Sequence, residues 1–394
     1  MPALSELRDK TCIVGIGETA FTRGTQKTAL QLSLEASVMA IEDAGLKPSD
    51  IDAVVLPAGA GGGGTAGDFC ANLGLEELRF TVSLQEMGGA MAVSAIEAAA
   101  FALACGGATV ALIPHCSLLY SGPRAREMSS NTNLGTQSAE AIRDYYIPFG
   151  AGAPPQHYAW MAQRHMHLYG TTQEQLGAVA VAMRKHAQLH PNAIMRGKPM
   201  TMADYMASRW ITWPYKLLDC SLESDGAGAF IMTTAERAKD LRRRPVYVTG
   251  IASGHPYPPH DIPNRPDILK IGLDFSAPRA YAMAGVKPSD IDFAEIYDCF
   301  TGQTILQIES AGFCKKGEGG PFVENGRIEL GGELPVNTHG GLLSQAHCVA
   351  MNHVVEAVVQ LRHDGGERQV KDAELGVVTG WGGHAHGSMV ILRR

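Results

Sequence analysis

A chain of 394 residues, 45% hydrophobic and 19% charged, is long enough for more than one α/β core, and its formal charge of −7 offers no basic surface to nucleic acid. No apolar run reaches the roughly 20 residues of a membrane span, and the first residues, MPALSELRDKTCIVGIGET, carry charges where an export signal needs its apolar stretch. The eight cysteines include no C-x-x-C pair, so reduced thiols in a cytoplasmic protein are expected, without a zinc knuckle.

In chain order, strands are expected at 11–17 (TCIVGIG), 51–57 (IDAVVLP), 79–84 (RFTVSL) and 108–114 (ATVALIP), with an amphipathic helix over 29–45. The section 121–242 then opens on a Pro/Gly-rich loop, and loops of such length usually serve function. It continues into helical sequence in which His165, His167 and His186 read as a solvated face. A second series of strands follows at 244–253, 291–297, 333–338, 375–381 and 388–393, with a helix over 353–366. Strands alternating with helices predict an α/β protein with largely parallel sheets.

An internal repeat organises these elements. AGLKPSDIDAVVL (44–56) returns as AGVKPSDIDFAEI (284–296). In each copy Gly45 or Gly285 suits the left-handed residue that closes a helix, Lys-Pro stops continuation, and Ser-Asp caps a short turn into a strand. Each copy is followed by a strand, a Gly-Gly turn and a helix, in QEMGGAMAVSA (85–95) and NTHGGLLSQAHCVAMNH (337–353). Two similar halves, 1–120 and 243–394, are therefore expected, with 121–242 completing the first half and covering the site. Ligands of α/β folds bind at the carboxyl ends of strands. Four segments compete for that place: Glu86–Gly89, Tyr297–Phe300, Asn337–His347 and Gly380–His386.

RHMHLYGTTQEQLGAVAVAMRKHA (164–187), LLDCSLESDGAGAF from Leu217 onward, and NTHGGLLSQAHCVAMNHVVEAVVQLR resemble the thiolase superfamily. The resemblance lies in its branch related to the thiolase domain of sterol carrier protein x, the lipid-transfer proteins, and covers nearly the whole chain. It implies a thiolase fold: two βαβαβαββ halves in a five-layered αβαβα architecture with a central loop insertion, assembled as a homodimer. The departures bear on the chemistry. Where thiolases carry the acylated cysteine of the first elbow, this chain has Glu86, a poor nucleophile toward thioesters. Their second cysteine, due near Gly380 in TGWGGHAHG, is missing too.

Tyr297-Asp298-Cys299-Phe300 corresponds to the family's Asn-Glu-Ala-Phe segment, and His347 to its Gly-His-Pro histidine. The resemblance is nearest to cysteine-free aldolases that shorten steroid side chains as CoA thioesters. Those work with a pair of tyrosines and a small OB-fold/zinc-ribbon partner, and His347 stands near the position of the second tyrosine. The expected activity is thus retro-aldol cleavage of a bulky β-hydroxyacyl-CoA to a ketone or aldehyde and a shorter acyl-CoA. Tyr297 and His347 would move protons, with Asp298 and Glu86 as further catalytic candidates. His157, Gly88, Gly89, Asn337, Gly340 and Gly341 would contact substrate, while His339 and His353 would support the His347 turn. No resident cofactor or metal is expected, the CoA thioester being the substrate. Two alternatives stay open: an acyltransferase using a displaced Cys299 or Cys348, and a non-catalytic acyl-CoA or lipid carrier.

Overall fold

Short local signals start the helices. Thr28 with Gln31, Thr172 with Gln175 and Thr201 with Asp204 each close a reciprocal capping box at a helix N-terminus. The computed structural model describes residues 4–57, 63–84, 89–122, 142–256 and 262–394, apart from the side chains of residues 4, 142 and 384. Glu86 and Gly88 lie outside the described residues.

The first half runs β1 (Thr11–Glu18), α1 (Ala29–Ala44), β2 (Ala53–Pro57), α2 (Ala66–Leu73), β3 (Phe80–Leu84), α3 (Ala90–Ala104) and β4 (Val110–Leu118). The central section adds α4 (Pro154–Tyr169), α5 (Gln173–Leu189), α6 (Met202–Ala207), a hairpin of β5 (Trp210–Thr212) and β6 (Tyr215–Lys216), and the long β7 (Asp225–Thr234). The second half contains β8 (Val246–Gly254), α7 (Leu273–Ala284), β9 (Phe293–Glu295), α8 (Thr301–Ser310), α9 (Met351–Arg362), β10 (Leu375–Trp381) and β11 (Gly387–Arg393).

The repeat is structural. Gly45 and Gly285 close α1 and α7 at φ 71° and 68°, and the Lys47 and Lys287 N–H groups each donate to Asp50 and Asp290 at 2.8 Å. A side chain on Gly15 would run into the Ala40 carbonyl, and one on Gly250 into that of Ala280, so strand and helix approach equally closely in both halves.

The sheet order is β3-β2-β4-β7-β1-β8-β11-β10-β9. Read outward from the central β1–β8 pair, the two halves match step for step. β1–β7 and β8–β11 are antiparallel, as are β7–β4 and β11–β10; β4–β2 and β10–β9 are parallel. β3 pairs in parallel with β2, and its counterpart is a single parallel bridge from Ala294 to Val336, so the strand expected at 333–338 shrinks to one residue. α1 covers one outer face and α7 the other, while α3 and α9 lie between strands of both halves. This is the expected five-layered αβαβα arrangement.

The expectation of largely parallel sheets is corrected: five of the eight pairings in this sheet are antiparallel. Much of the difference comes from β7, which the strand reading passed over. Its DGAGA start has few β-branched or aromatic residues, yet it is buried between β4 and β1. The solvated histidine face is also corrected. His165 and His186 are each 2% exposed, and only His167 faces solvent. His165 lies 2.9 Å from Glu309 and 2.7 Å from Thr171. Neighbouring elements cover α4 and α5 on more than one side, so period alone misjudges which positions are wet.

Candidate active site

Beyond β9 the chain leaves the sheet at Ile296 and must be held by partners other than a strand. Asn337 supplies them: Ile296 N–H donates to its Oδ1 at 2.6 Å, and its Nδ2 donates to the Ile296 carbonyl at 2.8 Å. The His186 Nε2 accepts from Leu330 N–H at 2.9 Å, which leaves Nδ1–H to donate to the Asn337 carbonyl at 3.1 Å. Tyr297 is fixed at both backbone ends, its N–H donating to Thr379 Oγ1 at 3.1 Å and its carbonyl accepting from Gln307 at 2.7 Å.

The phenol of Tyr297 lies 3.0 Å from His347 Nε2, with the two rings nearly perpendicular at 79°. On the far side of the imidazole, Nδ1 is 3.0 Å from Ser221 Oγ. Ser224 grips the same residue by its backbone, accepting from His347 N–H at 2.8 Å. The turn beyond is strained: Val349 and Ala350 have φ of 40° and 68°, a left-handed pair without glycine. Such strain clusters where surrounding structure fixes a functional side chain.

Gly89 opens α3 with ordinary helical φ, and a Cβ there would overlap the Tyr297 ring. A Cβ on Gly380 would come within 2.6 Å of the Gly89 carbonyl. The first elbow, the Tyr297 turn and the late glycine loop therefore meet at one point through backbone contact, which bulkier residues would prevent.

Asp298 sits behind this pair and is fully buried. Its carboxylate accepts from the N–H groups of Leu342 at 2.7 Å and Leu343 at 3.2 Å, with His353 Nε2 at 3.1 Å. It caps the one-turn helix Gly341–Ser344 and steadies the turn carrying His347. Asn337, Gly340 and Gly341, expected to contact substrate, are tightly packed in this structure. Asn337 is buried on Ile296; a Cβ on Gly340 would lie 2.7 Å from that of Ala187, and one on Gly341 would strike Asp298.

His353 supports the turn as expected. His339 is stacked edge-on against it, at 4.8 Å between ring centres, and lies 2.9 Å from Glu295.

His157 is buried, 2.8 Å from the Ala151 carbonyl and between the rings of Tyr146 and Trp160. Its neighbour Tyr158, missed in the sequence, faces the site instead. Its ring packs on Phe300 and Trp381 at 5.7 and 5.6 Å, and its phenol lies close enough to Tyr297 to disfavour a phenolate there.

Burial sets the protonation states. It pushes the Tyr297 phenol well above its ordinary value, with Cys299, Tyr158 and Asp298 adding to the effect. It also lowers the His347 imidazole to about 4, against the pull of the Asp298 carboxylate. At neutral pH the pair is a phenol beside a neutral imidazole. Cys299 and Cys348 are buried and their thiols raised well above the usual range, also by desolvation first, so neither is a thiolate. Among the described residues no group of three or more His, Cys, Asp or Glu has metal-binding geometry. No described helix is long and apolar enough to cross a membrane.

Two repeated halves thus bring a phenol and an imidazole into contact beyond the ends of their strands. The thiolase C-terminal domain-like family matches residues 257–394. A steroid side-chain-cleaving aldolase of Thermomonospora curvata is 38% identical, covering 91% of this chain and 92% of its own length. A 17-hydroxy-3-oxo-4-pregnene-20-carboxyl-CoA lyase of Mycobacterium tuberculosis is also 38% identical, over 90% and 92%. The solved Ltp2-ChsH2(DUF35) aldolase superposes with a TM-score of 0.89 at 37% identity over 98% of both chains. The chain belongs to the thiolase superfamily, in its lipid-transfer, sterol-carrier-protein-x-like branch.

Proposed function

We infer that this chain is a carbon–carbon lyase that cleaves a bulky β-hydroxyacyl-CoA, of the steroid side-chain class, by a retro-aldol reaction. The observation that carries the reading is the direct Tyr297–His347 contact at 3.0 Å beside thiols that burial keeps protonated. The names of the relatives supply the substrate class.

His347 Nε2 takes the proton of the substrate β-hydroxyl. The Cα–Cβ bond breaks, its electron pair passes into the thioester enolate, and the ketone or aldehyde departs. Tyr297 protonates Cα and recovers its proton from the imidazolium, which the buried Asp298 carboxylate favours electrostatically. Glu86, outside the described residues, stands three positions before Gly89 in the sequence and is a further catalytic candidate. The working assembly is a homodimer with a small OB-fold/zinc-ribbon partner, as the family resemblance implies, and the two-part name of the solved Ltp2-ChsH2(DUF35) aldolase supports a second subunit. Eight free cysteines agree with a reducing, cytoplasmic setting.

The test is incubation with 17-hydroxy-3-oxo-4-pregnene-20-carboxyl-CoA and shorter β-hydroxyacyl-CoAs, with and without such a partner. Release of a ketone or aldehyde together with a shortened acyl-CoA is expected. Tight CoA binding with no released carbonyl from any of them would favour a carrier.

Two further outcomes follow from the protonation states. Iodoacetamide should alkylate the exposed Cys105 yet leave turnover intact; loss of activity traced to Cys299 or Cys348 would restore the displaced-cysteine acyltransferase. For pH, His347 is active as a base only when unprotonated, so activity is lost as pH falls through its folded value of about 4. kcat/KM should therefore show no acid limb attributable to His347 between about pH 8 and pH 5, whereas a base with an ordinary histidine value would lose rate near ~6.5. A limb there that vanishes in His347→Ala would contradict the assignment.

A further inference from the structure

The segment Cys220–Ser224 lies between the two turns that carry the acid–base pair, although it is far from both in sequence. Ser221 N–H donates to the Cys299 carbonyl at 3.0 Å and Leu222 N–H to that of Leu342 at 2.9 Å, while Ser224 holds the His347 backbone. One side chain of this strut points at chemistry: Ser221 Oγ, 3.0 Å from His347 Nδ1.

A neutral imidazole has one N–H and one lone pair, so the partner of one nitrogen decides what the other can do. The Tyr297 phenol is buried and needs an acceptor for its proton. Among the described residues, the acceptor within hydrogen-bond distance is His347 Nε2; the backbone N–H of Gly89 approaches the phenol from the donor side. Nε2 therefore carries the lone pair and Nδ1 carries the hydrogen. Ser221 is half-buried, so its hydroxyl can accept from Nδ1–H and donate its own hydrogen bond to solvent.

We propose that Ser221 is a positioning residue for the reaction, accepting from His347 Nδ1–H and so holding the ring with its Nε2 lone pair toward the Tyr297 phenol and the substrate, in the tautomer that the phenol also favours. The inference rests on the acid–base reading above and deepens it. Removing the hydroxyl leaves the strut's backbone bonds intact but frees the ring to turn or to protonate Nε2, where it can no longer act as a base. Partners that orient a functional histidine from its second nitrogen typically matter on the order of 10- to 100-fold.

The experiment compares wild type, Ser221→Ala and Ser221→Thr, with the ring nitrogens of His347 followed by 15N NMR in protein labelled at histidine. Kinetics use 17-hydroxy-3-oxo-4-pregnene-20-carboxyl-CoA. Wild type should show Nδ1 protonated and Nε2 bare. Ser221→Ala should move the resonances toward the other tautomer and lower kcat about 10- to 100-fold with KM little changed. Ser221→Thr, which keeps a hydroxyl, should restore both. A merely structural serine would leave the tautomer unmoved. Ser221→Ala at wild-type kcat with Nδ1 still protonated would overturn the proposal while Tyr297→Phe and His347→Ala stay impaired. If those two also run at wild-type rate, the acid–base reading itself falls.

Discussion

Replacing Tyr297 by Phe is expected to lower turnover on the order of 10²-fold or more while leaving the fold in place. The ring itself is a packing element, 3% exposed beneath Gly89, and Phe fills the same space. What disappears is the hydroxyl 3.0 Å from His347, and with it the proton that returns to the substrate carbon. The imidazole loses a hydrogen-bond partner, which costs about 1–3 kcal/mol of stability at most. Rates under saturating substrate, set beside thermal unfolding of both proteins, measure the two effects separately. Turnover within a few-fold of wild type would remove Tyr297 from the chemistry.

Gly89→Ala should be nearly as damaging although it introduces one methyl group and no charge. The backbone at Gly89 has ordinary helical φ and ψ, so alanine meets no conformational penalty there. The new Cβ would instead overlap the Tyr297 ring, and the ring or the helix start must shift. Overpacking of this kind costs roughly 1–3 kcal/mol, and displacement of the phenol from His347 should reduce turnover on the order of 10²-fold.

The double variant with Tyr297→Phe distinguishes this account from general damage. The stability penalty should persist, because the Phe ring occupies the same place. The activity penalty should largely vanish, because the hydroxyl it displaced is already gone. Fully multiplicative losses in activity would show that Gly89 acts by another route, such as direct substrate contact.

The repeat, the helix caps and the end of each helix were legible because they are local. A glycine that closes a helix and a proline that forbids continuation act within four or five residues of chain. The site was legible only in part. Tyr297 and His347 were found through the resemblance, and they do meet; Asn337 binds the Ile296 backbone, while Gly340 and Gly341 pack against Ala187 and Asp298. Asp298, grouped with them as chemical, is consumed in capping. Tyr158 was overlooked because it stands one residue from the more conspicuous His157, and successive helix residues point about 100° apart.

The missed features share a cause. β7 begins on DGAGA, poor in residues that favour strands, and is stabilised by neighbours on both sides, so the start of its sequence says little. His165 and His186 are polar residues on helices buried on more than one side, with partners more than a hundred residues away. Ser221 meets His347 across 126 positions of chain.

By itself, then, the sequence determined that the chain is two copies of one α/β design and that thiols are missing from both nucleophile positions. The first is a statement about local pattern, and the second follows from the resemblance to the thiolase superfamily. The tertiary structure decided which polar side chains face one another and how deeply each is buried. It is burial that keeps the phenol protonated, the imidazole neutral and the cysteines inert. Proton affinity depends on the dielectric and partners around a group, and those are supplied by residues distant in the chain.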